Sequence, residues 1–332
     1  MKIGIDARLI QETGVGRYIR NLISELSEID RQNQYFIYLQ PDDYVTFTPP
    51  NNRWTKRNFS AHWHTITEQF QAPLVFKKDS VDLLHIPYFN APIFYSGKYI
   101  ITIHDLTILH YPTGRATTLP PLLYFWRKLG YKLVLRQGIK RARHVLTVSE
   151  STKADIIKSF GTDSSKITVT YEGVDQRLIS SIKYIKPRKL LAVSGKFFLY
   201  VGNAYPHKNV ELLINAFLHM KKLIKGNVPL KLVLVGNIDY FYARLQKNLS
   251  QQAQRDIIFF GTASDSDLSY LYTHAVALVL PSISEGFGLP AIEALTLRLP
   301  VIASQLPVFK EILGQSAIYF NVNSPNSWRI KC

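Results

Sequence analysis

Two carboxylates frame the stretch Glu285-Gly286-Phe287-Gly288-Leu289-Pro290-Ala291-Ile292-Glu293, which follows the apolar run Ala275 to Leu280. Such a pair could do acid and base work on one bond, but each carboxylate can also accept two hydroxyl donors, the pattern a sugar diol presents. Pro290 suits the first helical positions, so a helix is expected from Leu289 or Pro290 through Leu297, with Glu293 in its first turn. Helical side chains lean toward the N-terminus, so the Glu293 carboxylate is expected to point back toward the loop carrying Glu285 and serve the same ligand. The amides of Gly286, Phe287, Gly288 and Leu289 would add anion-binding capacity there. A ligand with both sugar and phosphate would use all of these groups. On these residues alone a plainer reading stays open, in which Glu293 complements a helix dipole and Glu285 is a solvated loop residue.

The elements that must position these groups follow from the hydrophobic pattern. Short apolar runs alternate with amphipathic helical segments through both halves, the signature of parallel sheets covered by helices. Two doubly wound, Rossmann-like α/β domains are the simplest solution. In the first half, strands are expected at Lys2–Asp6, Tyr35–Leu39, Leu83–His85, Tyr99–His104, Val145–Val148 and Ile167–Thr170. In the second they are expected at Phe197–Gly202, Leu230–Gly236, Ile257–Phe260, Ala275–Leu280, Pro300–Ala303 and Ala317–Phe320. The expected domains are residues 1–182 and 197–332, joined by a basic, aperiodic linker over 183–196.

In open parallel sheets, ligands sit beyond the C-terminal ends of the strands. Three more such places carry groups able to do chemistry. Gly14 and Gly16, in Thr13-Gly14-Val15-Gly16-Arg17-Tyr18, would let backbone approach a ligand, although a tight turn explains them as well. His104-Asp105 ends a strand and is a candidate for substrate contact, against the structural role usual for a lone histidine. Gly202-Asn203-Ala204-Tyr205-Pro206-His207-Lys208-Asn209 follows the first strand of the second half, where Lys208 is placed as a point charge for a diphosphate. Asp265-Ser266-Asp267 has the spacing of a metal-binding pair, yet it precedes Leu268, Leu271 and Tyr272 at helical spacing and reads as a helix N-cap.

A chain of 332 residues with 46% hydrophobic content can bury two cores. Its one cysteine, Cys332, provides neither a disulfide framework nor a cysteine-rich zinc site, and a reducing, cytoplasmic setting is expected. The start Met1 to Arg8 does not read as a signal peptide, and no uninterrupted apolar run approaches the ~18 residues of a membrane span. The net charge of +16 calls for anionic partners. It is densest from Arg127 to Arg143, after Tyr124, Phe125 and Trp126, and without one acid. Residues 124–144 therefore read either as a helix for an anionic membrane surface or phosphate-bearing acceptor, or as a solvated face packing its leucines inward. Nucleic acid is not an expected partner, because no recognised binding motif accompanies the charge.

Taken together, these motifs resemble the group 1 glycosyltransferases, also called family 4, which are retaining enzymes with two facing Rossmann-like domains, the GT-B architecture. The likeness runs from Met1 to about Tyr319 and also includes Val148-Ser149-Glu150-Ser151-Thr152-Lys153, Lys166 to Val169, and Gly173-Val174-Asp175. The resemblance implies transfer of a hexose from a nucleotide diphosphate sugar to a lipid-linked or polysaccharide acceptor. By similarity, Glu285 would bind donor-sugar hydroxyls, Glu293 the ribose diol and Lys208 the departing diphosphate. Asn203 and the amides around Phe287, Gly288 and Leu289 would contribute to donor binding, Gly16 would admit the phosphates, and His104 would sit beside the sugar. No metal or other cofactor is implied, and GDP-mannose is one candidate donor. His62-Trp63-His64, lacking a third ligand, is treated as surface or acceptor-side structure.

The sequence departs from the family at two places. Many members carry an arginine near Asn203, and they continue with helices beyond the position of Cys332, so a shortened second domain is expected. The alternatives are a non-catalytic remnant that binds nucleotide sugar, and a nucleotide-sugar epimerase. A dehydrogenase is disfavoured, because Gly14-Val15-Gly16 lacks the full dinucleotide spacing. The expected site of action is the cytoplasm, or the inner face of the plasma membrane as a peripheral protein.

Overall fold

Two parallel sheets organise the chain, each built from strands that alternate with helices in sequence. The computed structural model describes residues 1–111, 120–180, 193, 195–224 and 229–323. The chain divides into two compact units, the first comprising Met1–His110 with Thr117–Glu172, and the second Gly173–Cys332 with Tyr111–Ala116. The expected linker over 183–196 falls mostly outside the described residues, as does the segment after Asn326.

The first unit opens with β1 (Lys2–Asp6), α1 (Gly14–Ile29), β2 (Gln34–Leu39), α2 (Pro41–Thr46), β3 (Trp54–Asn58) and α3 (Ile66–Lys78). It continues with β4 (Leu83–Ile86), β5 (Tyr99–Ile103), α4 (Thr107–His110), α5 (Pro121–Arg141), β6 (His144–Thr147), α6 (Glu150–Phe160) and β7 (Ile167–Val169). Its sheet has the order β3-β2-β1-β4-β5-β6-β7, parallel throughout.

The second unit runs α7 (Gln176–Ser180), β8 (Lys196–Val201), α8 (Val210–Leu223), β9 (Leu230–Val235), α9 (Tyr240–Lys247), α10 (Gln251–Asp256) and β10 (Ile257–Gly261). It ends with α11 (Asp265–His274), β11 (Ala277–Leu280), α12 (Leu289–Thr296), β12 (Val301–Ser304), α13 (Pro307–Leu313) and β13 (Ala317–Phe320). The order is β10-β9-β8-β11-β12-β13, again parallel.

Strands covered on both faces must be apolar on both, and β8 shows how the period of two divides its side chains. Phe197 and Leu199 enter one core with Val233, Leu278 and Ala291, while Tyr200 enters the other with Leu232, Leu234 and Val279. All the expected strands form. Among the described residues the unforeseen strand is β3, whose Thr55, Lys56, Arg57 and Asn58 have no apolar period because it is an edge strand, paired there with β2 alone.

Asp265-Ser266-Asp267 serves a helix start. Ser264 is the N-cap of α11, and its side chain and that of Asp267 bond each other's backbone N–H in a capping box.

Candidate active site

Strand order reverses between β8 and β11 in the second unit and between β1 and β4 in the first, and such switch points open crevices at the strands' C-terminal ends. In the second unit, the loops leaving β8 and β11 are tied together there. Ile283 N–H donates to the His207 carbonyl at 2.8 Å, and Asn209 Nδ2 donates to the Pro281 carbonyl at 3.2 Å. Asn209 reaches this position from left-handed backbone with φ 58°. Ser304, at the end of β12, donates to the Ser282 carbonyl at 2.6 Å.

These ties bring Lys208 and Glu285 together, a pairing that no local pattern reveals. Lys208 Nζ donates to Glu285 Oε2 at 2.7 Å, and Ser282 Oγ donates to Oε1 at 2.8 Å. The lysine is 20% exposed and the glutamate 12%, so the pair is shielded yet reachable from solvent. A buried cation and anion stabilise each other only while paired, so a ligand entering here must offer a replacement for each: an anion for Lys208 and hydroxyl donors for Glu285.

Helix α12 starts at Leu289 and has Pro290 in its first turn, as its sequence predicts. Glu293 is its fifth residue, just past the first turn in which it is expected. Its carboxylate is 1% exposed and accepts from the Tyr272 hydroxyl at 2.7 Å. The two acids are therefore engaged by different partners, Glu285 by Lys208 and Ser282, and Glu293 by Tyr272 from α11. Gly288 caps the helix at φ 97°, and a Cβ there would lie 2.7 Å from the Phe309 ring. Phe287 and Leu289 on either side are buried. Asn203 shapes its own turn: its carbonyl accepts from the Tyr200 hydroxyl at 2.6 Å and its Oδ1 from Tyr205 N–H at 3.3 Å.

In the first unit, Gly14 and Gly16 fall inside the first turn of α1 rather than ahead of it. A Cβ on Gly16 would lie 2.5 Å from the Ile10 carbonyl oxygen, so its smallness serves the close passage of the chain's own backbone, while Gly14 faces open space. His104 follows β5 and is 12% exposed. Its Nε2 lies 3.0 Å from the Pro87 carbonyl and its Nδ1 3.2 Å from Glu172 Oε1. Tyr18 meets its ring edge-on at 4.8 Å between centroids and shares a hydrogen bond with Thr102 Oγ1, which also bonds His85 Nε2 at 2.8 Å.

Beside these residues, the crevice between β1 and β4 is lined by Asp6, Arg8, Leu9, Trp63, Pro87 and Asn90, among others. Arg8 donates to Asp6 and to Glu68 Oε1, each from Nη2 at 2.6 Å. Glu68 Oε2 accepts from Asn90 Nδ2 and, at 2.9 Å, from His64 N–H. Burial raises the Glu68 pKa and outweighs the cationic Arg8 beside it. His64 takes φ 62°, and a hydrogen bond of 2.7 Å joins its Nδ1 to the Tyr131 hydroxyl. Burial and nearby cations push its pKa down to about 4, so it stays neutral at pH 7. His62-Trp63-His64 thus contributes one histidine to an internal network. Asp6 at the end of β1 and Arg8 just after it were the available sequence signal; Glu68, Glu172 and Tyr272 offered none.

Residues 13–178 match the family described as Glycosyltransferase Family 4, and residues 182–329 that described as Glycosyl transferases group 1. The chain is 29% identical to the O-antigen chain mannosyltransferase RfbU of Salmonella typhimurium, over 96% of this chain and 85% of the relative. It is 25% identical to the O-antigen chain mannosyltransferase B of Escherichia coli, over 94% and 84%. Among solved structures, the sucrose-phosphate synthase from Thermosynechococcus elongatus aligns with a TM-score of 0.74 at 18% identity, covering 98% of this chain and 87% of that one. Anabaena Alr3699/HepE in complex with UDP and glucose aligns at 0.71 and 16%, covering 97% and 86%. At these identities the structural likeness speaks for the fold, the GT-B class with its two parallel-sheet α/β domains.

Proposed function

The chain belongs to the group 1, family 4 glycosyltransferases, and from that premise we propose that it transfers mannose from GDP-mannose, with retention, to a lipid-linked or polysaccharide acceptor of a cell-surface glycan. The observation that carries this reading is the Lys208–Glu285 pair at the switch point of the second unit. A nucleotide diphosphate sugar offers what the pair needs on separation, phosphate oxygens for Lys208 and sugar hydroxyls for Glu285. Glu293 would take the ribose diol, with Tyr272 holding its carboxylate in place, and the amides at the start of α12 would face the diphosphate. The names of the O-antigen mannosyltransferase relatives support mannose as the sugar.

In this reading the bond from the anomeric carbon to phosphate breaks on the face where the acceptor oxygen arrives. The acceptor proton passes to the departing diphosphate, whose growing charge Lys208 neutralises. Catalysis is then positioning plus charge stabilisation, with no protein nucleophile and no metal.

The acceptor's lipid would bring the enzyme to the inner membrane face, and α5 supports this location. Leu122, Leu123, Phe125, Trp126, Leu129 and Leu133 are all exposed on it, interleaved with Arg127, Lys128 and Lys132. Of its leucines, only Leu135 packs inward, which favours the membrane reading over a solvated face with its leucines turned to the core. Among the described residues, no helix is long and apolar enough to cross a membrane.

Calorimetric titration with GDP-mannose and UDP-glucose, alongside an assay for slow donor hydrolysis, tests the proposal. Binding and hydrolysis of GDP-mannose in preference to UDP-glucose is the expected result. Binding without turnover would identify a nucleotide-sugar-binding remnant, and preference for UDP-glucose would overturn the choice of donor.

A further inference from the structure

We propose that Glu172 is a positioning residue that holds His104 as a doubly protonated imidazolium, so that His104 acts in the transferase reaction as a fixed cation and hydrogen-bond donor and never as a base. The proposal rests on the transferase reading above for its catalytic meaning, and on geometry for its chemistry. A backbone carbonyl can only accept, so the Pro87 oxygen at 3.0 Å requires a proton on His104 Nε2. The Glu172 carboxylate at 3.2 Å from Nδ1 is matched when that nitrogen carries a proton as well. Both partners accept, so the ring is satisfied on both sides only as the cation.

The groups around the ring leave the proton no better place. From α1, Tyr18 presents a ring edge, and its phenol is pushed up to about 12, chiefly by burial, which keeps it neutral. From β4, His85 is bonded to Thr102, and its pKa is pushed down to about 4 by burial and by the charge of His104. From α6, the hydroxyl of Thr152 donates to the His104 carbonyl. Among the described residues, Asp105 and Glu172 are the negative charges acting on the ring. Burial alone would lower the His104 pKa, but the Glu172 bond and charge, the Pro87 carbonyl and Asp105 together raise it above its ordinary value.

The consequence for the reaction is that His104 has no lone pair with which to take the acceptor proton, in keeping with the proposed passage of that proton to the departing diphosphate. Glu172 gave no signal in the sequence, because its partner lies 68 positions upstream and only the sheet brings β5 and the end of β7 to one edge of the crevice.

Nitrogen-detected NMR of the imidazole rings, with the His104 signal assigned by its loss in His104→Gln, reads the protonation state directly. Donor hydrolysis from pH 6 to 9 in wild type, Glu172→Gln and Glu172→Asp reads its consequence. At pH 7 both His104 nitrogens should be protonated in the wild type and only one in Glu172→Gln. The wild-type rate should fall as pH rises through the raised His104 pKa. In Glu172→Gln that alkaline limb should move down by about one pH unit, a roughly tenfold rate loss on the limb, with donor KM within twofold and with recovery in Glu172→Asp. A wild-type His104 that is neutral at pH 7, or a Glu172→Gln profile that does not move, would overturn the proposal. Absence of hydrolysis in the wild type would instead count against the transferase reading, and the NMR result would still decide the protonation state.

Discussion

Lys208 and Glu285 stand 77 residues apart in sequence and 2.7 Å apart in space, and their pairing sharpens what substitution of each should do. Glu285→Gln keeps the shape of the side chain and its contact with Ser282 but loses the charge facing Lys208. It should leave donor affinity within a few-fold and lower kcat by about 10²–10³, the range for removing one preorganised transition-state contact. Lys208→Ala removes the cation for the diphosphate, so it should weaken donor binding and lower kcat together. Steady-state kinetics with calorimetry separates the two patterns, and equal, mild effects from both would refute the role assignment. At this scale the sequence disclosed residue types and their places after strands. It did not disclose partners, because Lys208–Glu285, Tyr272–Glu293 and Glu172–His104 are contacts made by the sheet order.

The elements were more legible, because hydrophobic period and capping act over a few neighbouring residues. Helix α12 is the clearest case: Pro290 and the positive φ of Gly288 define its start, and the apolar Leu289, Ala291 and Ala294 are buried. Gly288→Ala should destabilise the protein by about 1–3 kcal/mol from backbone strain alone, with a further loss from the Phe309 clash. Phe309→Leu in that background should recover the steric share only, as read from urea unfolding midpoints. The Arg8–Glu68 network depends on elements that local pattern does not connect, the end of β1 and the first turn of α3. Glu68→Ala would leave Arg8 with the Asp6 carboxylate and the Ala61 carbonyl, and would strip the His64 N–H and Asn90 of their Glu68 acceptor. A loss of about 3–5 kcal/mol is expected, and a change below about 1 kcal/mol would show that water replaces the carboxylate. Strand β3 escaped notice for the opposite reason: an edge strand with charged side chains carries no local hydrophobic signal.

Across the whole molecule, the repeated alternation of strand and helix made the two α/β units readable, and the +16 charge pointed to anionic partners. What composition could not supply was the placement of charge relative to apolar surface, which α5 now provides. Its C-terminal half packs through Leu135 and Ile139, while its N-terminal half exposes leucine, phenylalanine and tryptophan among the basic residues. A surface of this kind gains from both lipid charge and the interfacial hydrocarbon, and the two contributions respond differently to salt. Replacing Lys132, Arg136 and Lys140 with glutamine should weaken binding to vesicles of phosphatidylglycerol and phosphatidylcholine by roughly 10²-fold, taking about 1 kcal/mol for each cation. Sedimentation at low and high salt is the measurement: the triple variant should lose most of the salt-sensitive part, while Phe125→Ala with Trp126→Ala should reduce the part that persists in high salt. If neither variant alters vesicle binding, α5 does not meet the membrane, and its cations become candidates for a soluble, phosphate-bearing acceptor instead.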